Sequence, residues 1–149
     1  VNQNLPESKG TIHIKSDDPE EYPSIKYNFL SSQLDRDTLV AGVKLIRKLM
    51  QSEAMKKFCD TEIQPGYDFS SDEDIMQFIR NKAETLYHPS GTCKMGFDQE
   101  SVVDKNLKVH GIKGLRIADA SIMPTLVSGN TNAVCMMIGE RCADFIMNN

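Results

Sequence analysis

Apolar and polar residues alternate over residues 11–15 (Thr-Ile-His-Ile-Lys), and again through Ile25, Tyr27 and Phe29. A period of two puts every second side chain on one side of the backbone, so each stretch predicts a strand with one buried face. Asp17, Asp18, Pro19 and Pro23 between them are turn formers, which makes an antiparallel pair the first expectation. From Asp37 to Lys57 the period lengthens. Leu39, Val43, Ile46 and Met50 step by four, three and four, which predicts one apolar helical face, with Asp35 or Asp37 placed to cap its start. Pro65-Gly66 closes this region. A second helix is announced by Ser70 and Ser71 followed by Asp72, Glu73 and Asp74, hydroxyls at the cap and carboxylates in the positive first turn. Its expected core face is Ile75, Phe78, Ile79 and Leu86, and its end is expected near Tyr87 or His88, because Pro89 disfavours helical geometry in the residue before it. Residues 88–132 are rich in turn formers, with short strand candidates at 107–109 and 115–118. A last helix is expected over 131–146. Its first half is apolar almost all round, which predicts deep burial there. No internal repeat or low-complexity tract is present.

Composition narrows the classes. The 149 residues are 40% hydrophobic and 26% charged, the balance of a folded domain rather than a disordered chain. With 21 acidic against 17 basic residues the net charge is -4, which argues against a nucleic-acid binder and its basic face. The densest apolar stretch, 133–138, falls far short of the ~20 residues a membrane helix needs. The N-terminus has neither a signal-peptide layout nor an initiator Met, so the chain is expected to be processed or a piece of a longer protein. Cys59, Cys93, Cys135 and Cys142 form no C-x-x-C pair, which disfavours a zinc ribbon or a redox dithiol. Cys135 and Cys142 would stand roughly 10 Å apart along one helix, beyond disulfide reach. Four reduced, mostly buried thiols, no metal site and a cytoplasmic location are the expectation.

Three segments carry candidate chemistry. In YHPSGTCKMG (87–96), Pro89 restrains the backbone beside His88, while Gly91 and Gly96 permit close approach of other groups. A histidine so held can act as a general base or can simply satisfy a turn carbonyl. His13 and His110 read as structural or solvent-exposed. SGNTN (128–132) opens the last helix, where free N–H groups and the positive dipole end suit a developing anion; ordinary capping by Asn130 or Thr131 is the alternative. GLRIADASIMP (114–124) delivers Asp119 at the end of a short apolar strand, where open α/β sheets bind ligands, or where an ordinary Asp turn would sit. Glycine-rich phosphate cradles are missing. The nine glycines never fall two apart, so G-x-G-x-x-G is absent, and Phe97-Asp98 replaces the Lys-Ser/Thr of a P-loop.

In this order and spacing, YHPSGTCKMG and VVDKNLKVHGIKGLRIADASIMPTLVSGNTNAVCMMIGERCADFI (102–146) resemble the C-terminal signature of glucose–methanol–choline (GMC) flavin oxidoreductases. SKGTIHIKSDDP (8–19) and PSIKYNFL (23–30) are similar to that family's approach to its substrate domain, so the resemblance covers nearly the whole chain. It lies nearer the choline and alcohol dehydrogenase branch than the fungal glucose oxidases. The resemblance implies FAD as cofactor and His88 as the base that takes the hydroxyl proton while hydride passes from the alcohol carbon to flavin N5. It implies that Asn130 orients the alcohol oxygen. Asp119 and Ala120 would contact the ribityl–pyrophosphate region, Thr131 and Asn132 would lie near flavin N1 and C2=O, and Tyr87 would touch the flavin edge.

Family members hold the ADP half of FAD with a Rossmann-type G-x-G-x-x-G turn, which this chain lacks. The expected fold is therefore α+β: residues 1–99 a portion of the substrate domain, and 100–149 a segment completing an FAD domain whose N-terminal half is missing. The expected function is the C-terminal part of an FAD-dependent alcohol dehydrogenase acting on choline or another primary alcohol, inactive without its N-terminal portion. An oxygen-using oxidase, a lyase on the same fold and a flavin-free binding or assembly module are the rivals. The choice of alcohol and the oligomeric state, a homo-oligomer included, stay open.

Overall fold

The computed structural model describes residues 1–148 as a mixed helix-and-sheet chain in two compact units, Val1–Thr85 and a second from Leu86 onward. This boundary follows compactness and falls ahead of the expected division into 1–99 and 100–149.

In the first unit, β1 (Thr11–His13) and β2 (Ser24–Lys26) pair antiparallel, with Ile12 opposite Ile25. The expected pair forms, but both strands are short and the apolar side is uncovered. Ile14, Tyr27 and Phe29 are exposed, and Tyr27 stacks on Phe29 at 5.2 Å. Ile12 and Ile25 on the same face are 42% and 51% exposed.

α1 spans Gln33–Met50 and starts earlier than its apolar period suggests. Asp35 is not the cap. It lies buried in the first turn, where its carboxylate accepts the Glu7 N–H (2.9 Å) and the Ser8 N–H (2.8 Å), tying the N-terminal segment to the helix. Asp37 accepts from Gln33 instead. A turn at Gln51 separates α1 from the short α2 (Glu53–Lys56), so the single helix expected to Lys57 is two.

α3 (Asp72–Lys82) opens on the expected signal as a reciprocal capping box: Ser71 accepts the Asp74 N–H, and Asp74 accepts the Ser71 N–H. It ends sooner than expected, because Ala83 already takes extended geometry, and Leu86 is exposed rather than core. Proline at 89 restrains only its neighbour; it does not hold the helix open up to that point. Val40 of α1 packs with Ile75 and Ile79 of α3, flanked by Leu39, Val43 and Phe78. Each fully buried aliphatic side chain of this kind contributes roughly 1.5–3 kcal/mol. Ile46, expected on this face, remains partly exposed.

The second unit is woven from single backbone bridges. The Val109 N–H donates to Leu115 and the Ile117 N–H to Leu107, so the two strand candidates pair antiparallel around Lys108 and Arg116. Asp104 accepts the N–H groups of Asn106 and Lys108, a tight turn that places Leu107 at φ 65° and buries its side chain. A 3-10 turn covers Ala120–Ile122, and α4 covers Asn132–Met147. The core is Val103, Leu107, Ile122, Met123, Ile138 and Cys142.

The first half of α4 is not deeply buried. Met136 and Met137 are 62% and 61% exposed, because this unit packs on only the Ile138 and Cys142 side of the helix. All four cysteines are free, but only Cys142 is buried; the other three are half-buried. No helix among the described residues is long and apolar enough to cross a membrane.

Candidate functional site

The loop carrying His88 is laid along the 3-10 turn by a run of backbone bonds. The Gly91 N–H donates to Ala120 (3.3 Å), the Cys93 N–H to Ser121 (2.9 Å) and the Met95 N–H to Ile122 (2.8 Å). Gly91 is required at its position: its φ is +82°, and a Cβ there would stand 3.2 Å from the Met123 carbonyl oxygen. Gly96 approaches as closely on the far side, where a Cβ would collide with the Ser101 hydroxyl. The sequence signal of two glycines allowing close approach is realised at both.

Ahead of the loop, Tyr87 adopts a left-handed conformation at φ 59°, uncommon for a bulky residue. Its side chain is exposed, whereas His88 is half-buried. On the imidazole, Nδ1 lies 3.1 Å from Thr131 Oγ1. Thr131 is buried and stands at the N-cap position of α4, but its backbone is helical and its side chain makes no cap bond. The expected alternative, capping by Thr131, is therefore not what this hydroxyl does: it is turned to His88. With Nδ1 so engaged, Nε2 is the ring nitrogen that no described residue bonds.

Asp119 precedes the 3-10 turn and accepts the Ser121 N–H at 2.7 Å. The Ser121 hydroxyl and that N–H hold the Asp119 carboxyl below the usual carboxylate range, against a smaller opposing effect of burial. It is an ionised, acceptor-only group at a fixed turn, suited to hydroxyl ligands. Ala120 is half-buried beside it, and Asn130 and Asn132 are exposed at the approach to and first turn of α4. Among the described residues no hydrogen bond links Asn130 to His88.

The second unit thus brings three sequence-separated segments together: the His88 loop, the turn after Asp119 and the start of α4. Sequence reasoning missed the Thr131 hydroxyl as a partner of His88, since no local pattern reports a contact across 43 residues. It also missed Ser121, whose position two residues after Asp119 is a legible Asp-turn spacing. His110 is exposed, with Nε2 3.0 Å from the Gly96 carbonyl, a turn-satisfying role. Two open hollows of about 390 and 370 Å³ lie elsewhere, one beside Arg36 and Lys44, the other beside Leu107 and Phe145.

The free N–H groups at the start of α4 suit negative charge. A sixteen-residue helix presents a first turn that Thr131 does not cap, with an exposed amide side chain at Asn132. A carboxylate acceptor at Asp119 and a tethered imidazole at His88 complete a donor and acceptor set suited to a flavin with its ribityl chain.

Comparison with known proteins gives a consistent picture. The family model described as GMC oxidoreductase, for the C-terminal domain, matches residues 6–139. Oxygen-dependent choline dehydrogenases from Cronobacter sakazakii and Pseudomonas syringae pv. tomato are 47% and 49% identical over 139 residues. Those matches cover 93% of this chain and 25% and 24% of the relatives, so the chain spans about a quarter of their length. Among solved structures, pyridoxine 4-oxidase from Mesorbium loti superposes with a TM-score of 0.90 at 29% identity, covering 98% of this chain and 28% of that one. A formate oxidase from Aspergillus oryzae RIB40, studied for its FAD modification, gives a TM-score of 0.85 at 32% identity, covering 93% of this chain and 24% of that one.

Proposed function

The chain belongs to the GMC oxidoreductase family, and we propose on that premise that it is the C-terminal part of an FAD-dependent enzyme oxidising the CH–OH group of an alcohol, choline or another primary alcohol. Residues 1–99 contribute to the substrate domain, and 100–149 complete an FAD domain whose Rossmann-like N-terminal half is supplied by the rest of the protein. A cytoplasmic location belongs to the same reading.

The observation that carries this reading is the tether between His88 Nδ1 and Thr131 Oγ1. It leaves Nε2 as the base that takes the proton from the alcohol hydroxyl, a role typically worth roughly 10²–10⁴ in rate. The Asn130 amide orients the alcohol oxygen. Asp119 and Ala120 would hold the ribityl side of FAD, Tyr87 would border it, and the α4 start at Thr131 and Asn132 would favour negative charge on it. FAD, when bound, supplies the hydride acceptor.

Replacing His88 with Ala in the full-length enzyme is the test. Anaerobic flavin reduction by alcohol should fall by about 10²–10⁴ with flavin content unchanged. Reduction that stayed fast would remove His88 from the role of base. A second reading, oxygen as the electron acceptor, is favoured by the similar proteins, which include oxygen-dependent choline dehydrogenases, a pyridoxine 4-oxidase and a formate oxidase. Rapid reoxidation of the reduced enzyme in air would select it.

A further inference from the structure

The general base needs a lone pair on Nε2, which requires the neutral ring to carry its proton on Nδ1. A neutral imidazole can hold that proton on either nitrogen, so something must choose. Nδ1 of His88 has one partner among the described residues, Thr131 Oγ1 at 3.1 Å. Thr131 is buried, only 9% exposed, and the usual use of a threonine at a helix start, accepting an N–H of the first turn, is not made.

The geometry points to Thr131 as the positioning residue of His88: its hydroxyl accepts from Nδ1–H, selects the tautomer with Nε2 free, and holds the ring plane through the reaction. This rests on the reading of His88 as the base. When Nε2 gains the alcohol proton, the Nδ1–H donor stays where it was, and the bond to Thr131 becomes charge-assisted. The ring therefore needs no reorientation between its neutral and protonated forms. The left-handed Tyr87 on one side and the Pro89 restraint on the other limit how far the backbone can follow a ring left untethered.

The experiment uses the full-length flavoenzyme with ¹⁵N-labelled histidine, in the wild type and in Thr131→Val and Thr131→Ser. The His88 signals are identified by their loss in His88→Ala. In the resting wild type the ring nitrogens should report a proton on Nδ1. Thr131→Val, which keeps the side-chain shape, should move His88 toward the other tautomer, and Thr131→Ser should restore it. Flavin reduction is measured in parallel with choline, 1-butanol, glycerol and glucose. With whichever alcohol reduces the wild type, Thr131→Val should lower the limiting rate about tenfold, the effect of one hydrogen bond to a charged group, with the half-saturating concentration little changed.

An unchanged tautomer in Thr131→Val overturns the inference whatever the rate does, since a loss of rate alone would place Thr131 in the helix start only. The base assignment fails separately, through a His88→Ala enzyme that is reduced as fast as the wild type. The ring-nitrogen signals decide the role of Thr131 even in that event.

Discussion

Gly91 passes Met123 so closely that a Cβ at residue 91 would lie 3.2 Å from the Met123 carbonyl oxygen, with the backbone already at φ +82°. The contact pins the His88 loop to the turn that follows Asp119. A Gly91→Ala substitution meets both the left-handed penalty and the crowded carbonyl. It should cost about 1–3 kcal/mol of stability and displace the loop. In the full-length enzyme a lowered unfolding midpoint should accompany slower flavin reduction. Equal stability and equal reduction would show that the loop tolerates the extra methyl.

Arg47 of α1 grips Glu62 through Nε and Nη2, at 2.8 to 3.1 Å, and donates in addition to the Phe69 and Gly66 carbonyls. Both side chains are only 15% exposed, so the pair organises the loop between α2 and α3 with little help from water. Arg47→Met should leave the largely buried Glu62 carboxylate without its cation, with the Gly66 N–H as a remaining partner, at about 3 kcal/mol. Pairing it with Glu62→Leu should recover a large part of that loss. Urea unfolding of the two single variants and the double variant checks this. Additive losses would mean the two side chains act independently.

Much of this was legible in the chain, for identifiable reasons. The β1–β2 pair, the Ser71 cap and α4 follow from local period or turn chemistry, whereas the strand candidates at 107–109 and 115–118 meet only through an isolated bridge. What failed was burial. The alternation at Ile12 and Ile25 and the apolar first half of α4 say that a face is made to be covered, not that the covering lies in this chain. Met136 and Met137 stand exposed for that reason. Asp35 was misread because a first-turn carboxylate and a cap have the same sequence signature. Its partners, Glu7 and Ser8, come from a distant segment. At the site, His88, Asp119 and the helix start were visible as motifs, but the bond between His88 and Thr131 is tertiary and leaves no local trace.

Asp35 makes the stability of the first unit pH-dependent. Burial pushes its carboxyl upward, but the Ser8 hydroxyl and the Glu7 and Ser8 N–H groups together outweigh that and hold it below the ordinary value. A carboxyl lowered on folding contributes stability that is fully present above its unfolded pKa, about 3.9, and lost as pH falls through the folded value. Asp35→Asn, which cannot accept both N–H bonds, should therefore be less stable by about 1–3 kcal/mol near neutrality. The gap to the wild type should close progressively below about pH 4. Unfolding midpoints measured across that range decide it; a gap independent of pH would rule out the carboxylate charge as its source.

The last prediction concerns the 149-residue chain by itself. Asp119, Asn130 and Asn132 face solvent, and the Thr131 hydroxyl is engaged with His88 Nδ1. What remains for FAD is one turn that holds a carboxylate and one helix start, with no glycine-rich turn for the pyrophosphate of the ADP half. Affinity for a cofactor of that size needs most of its surface enclosed, and these groups cover one edge. The purified chain, mixed with FAD and desalted, should retain little of the flavin absorbance, while the full-length enzyme treated in the same way keeps it. Stoichiometric flavin on the short chain would mean that the C-terminal part grips the cofactor on its own, and the division of labour between the two parts would have to be redrawn.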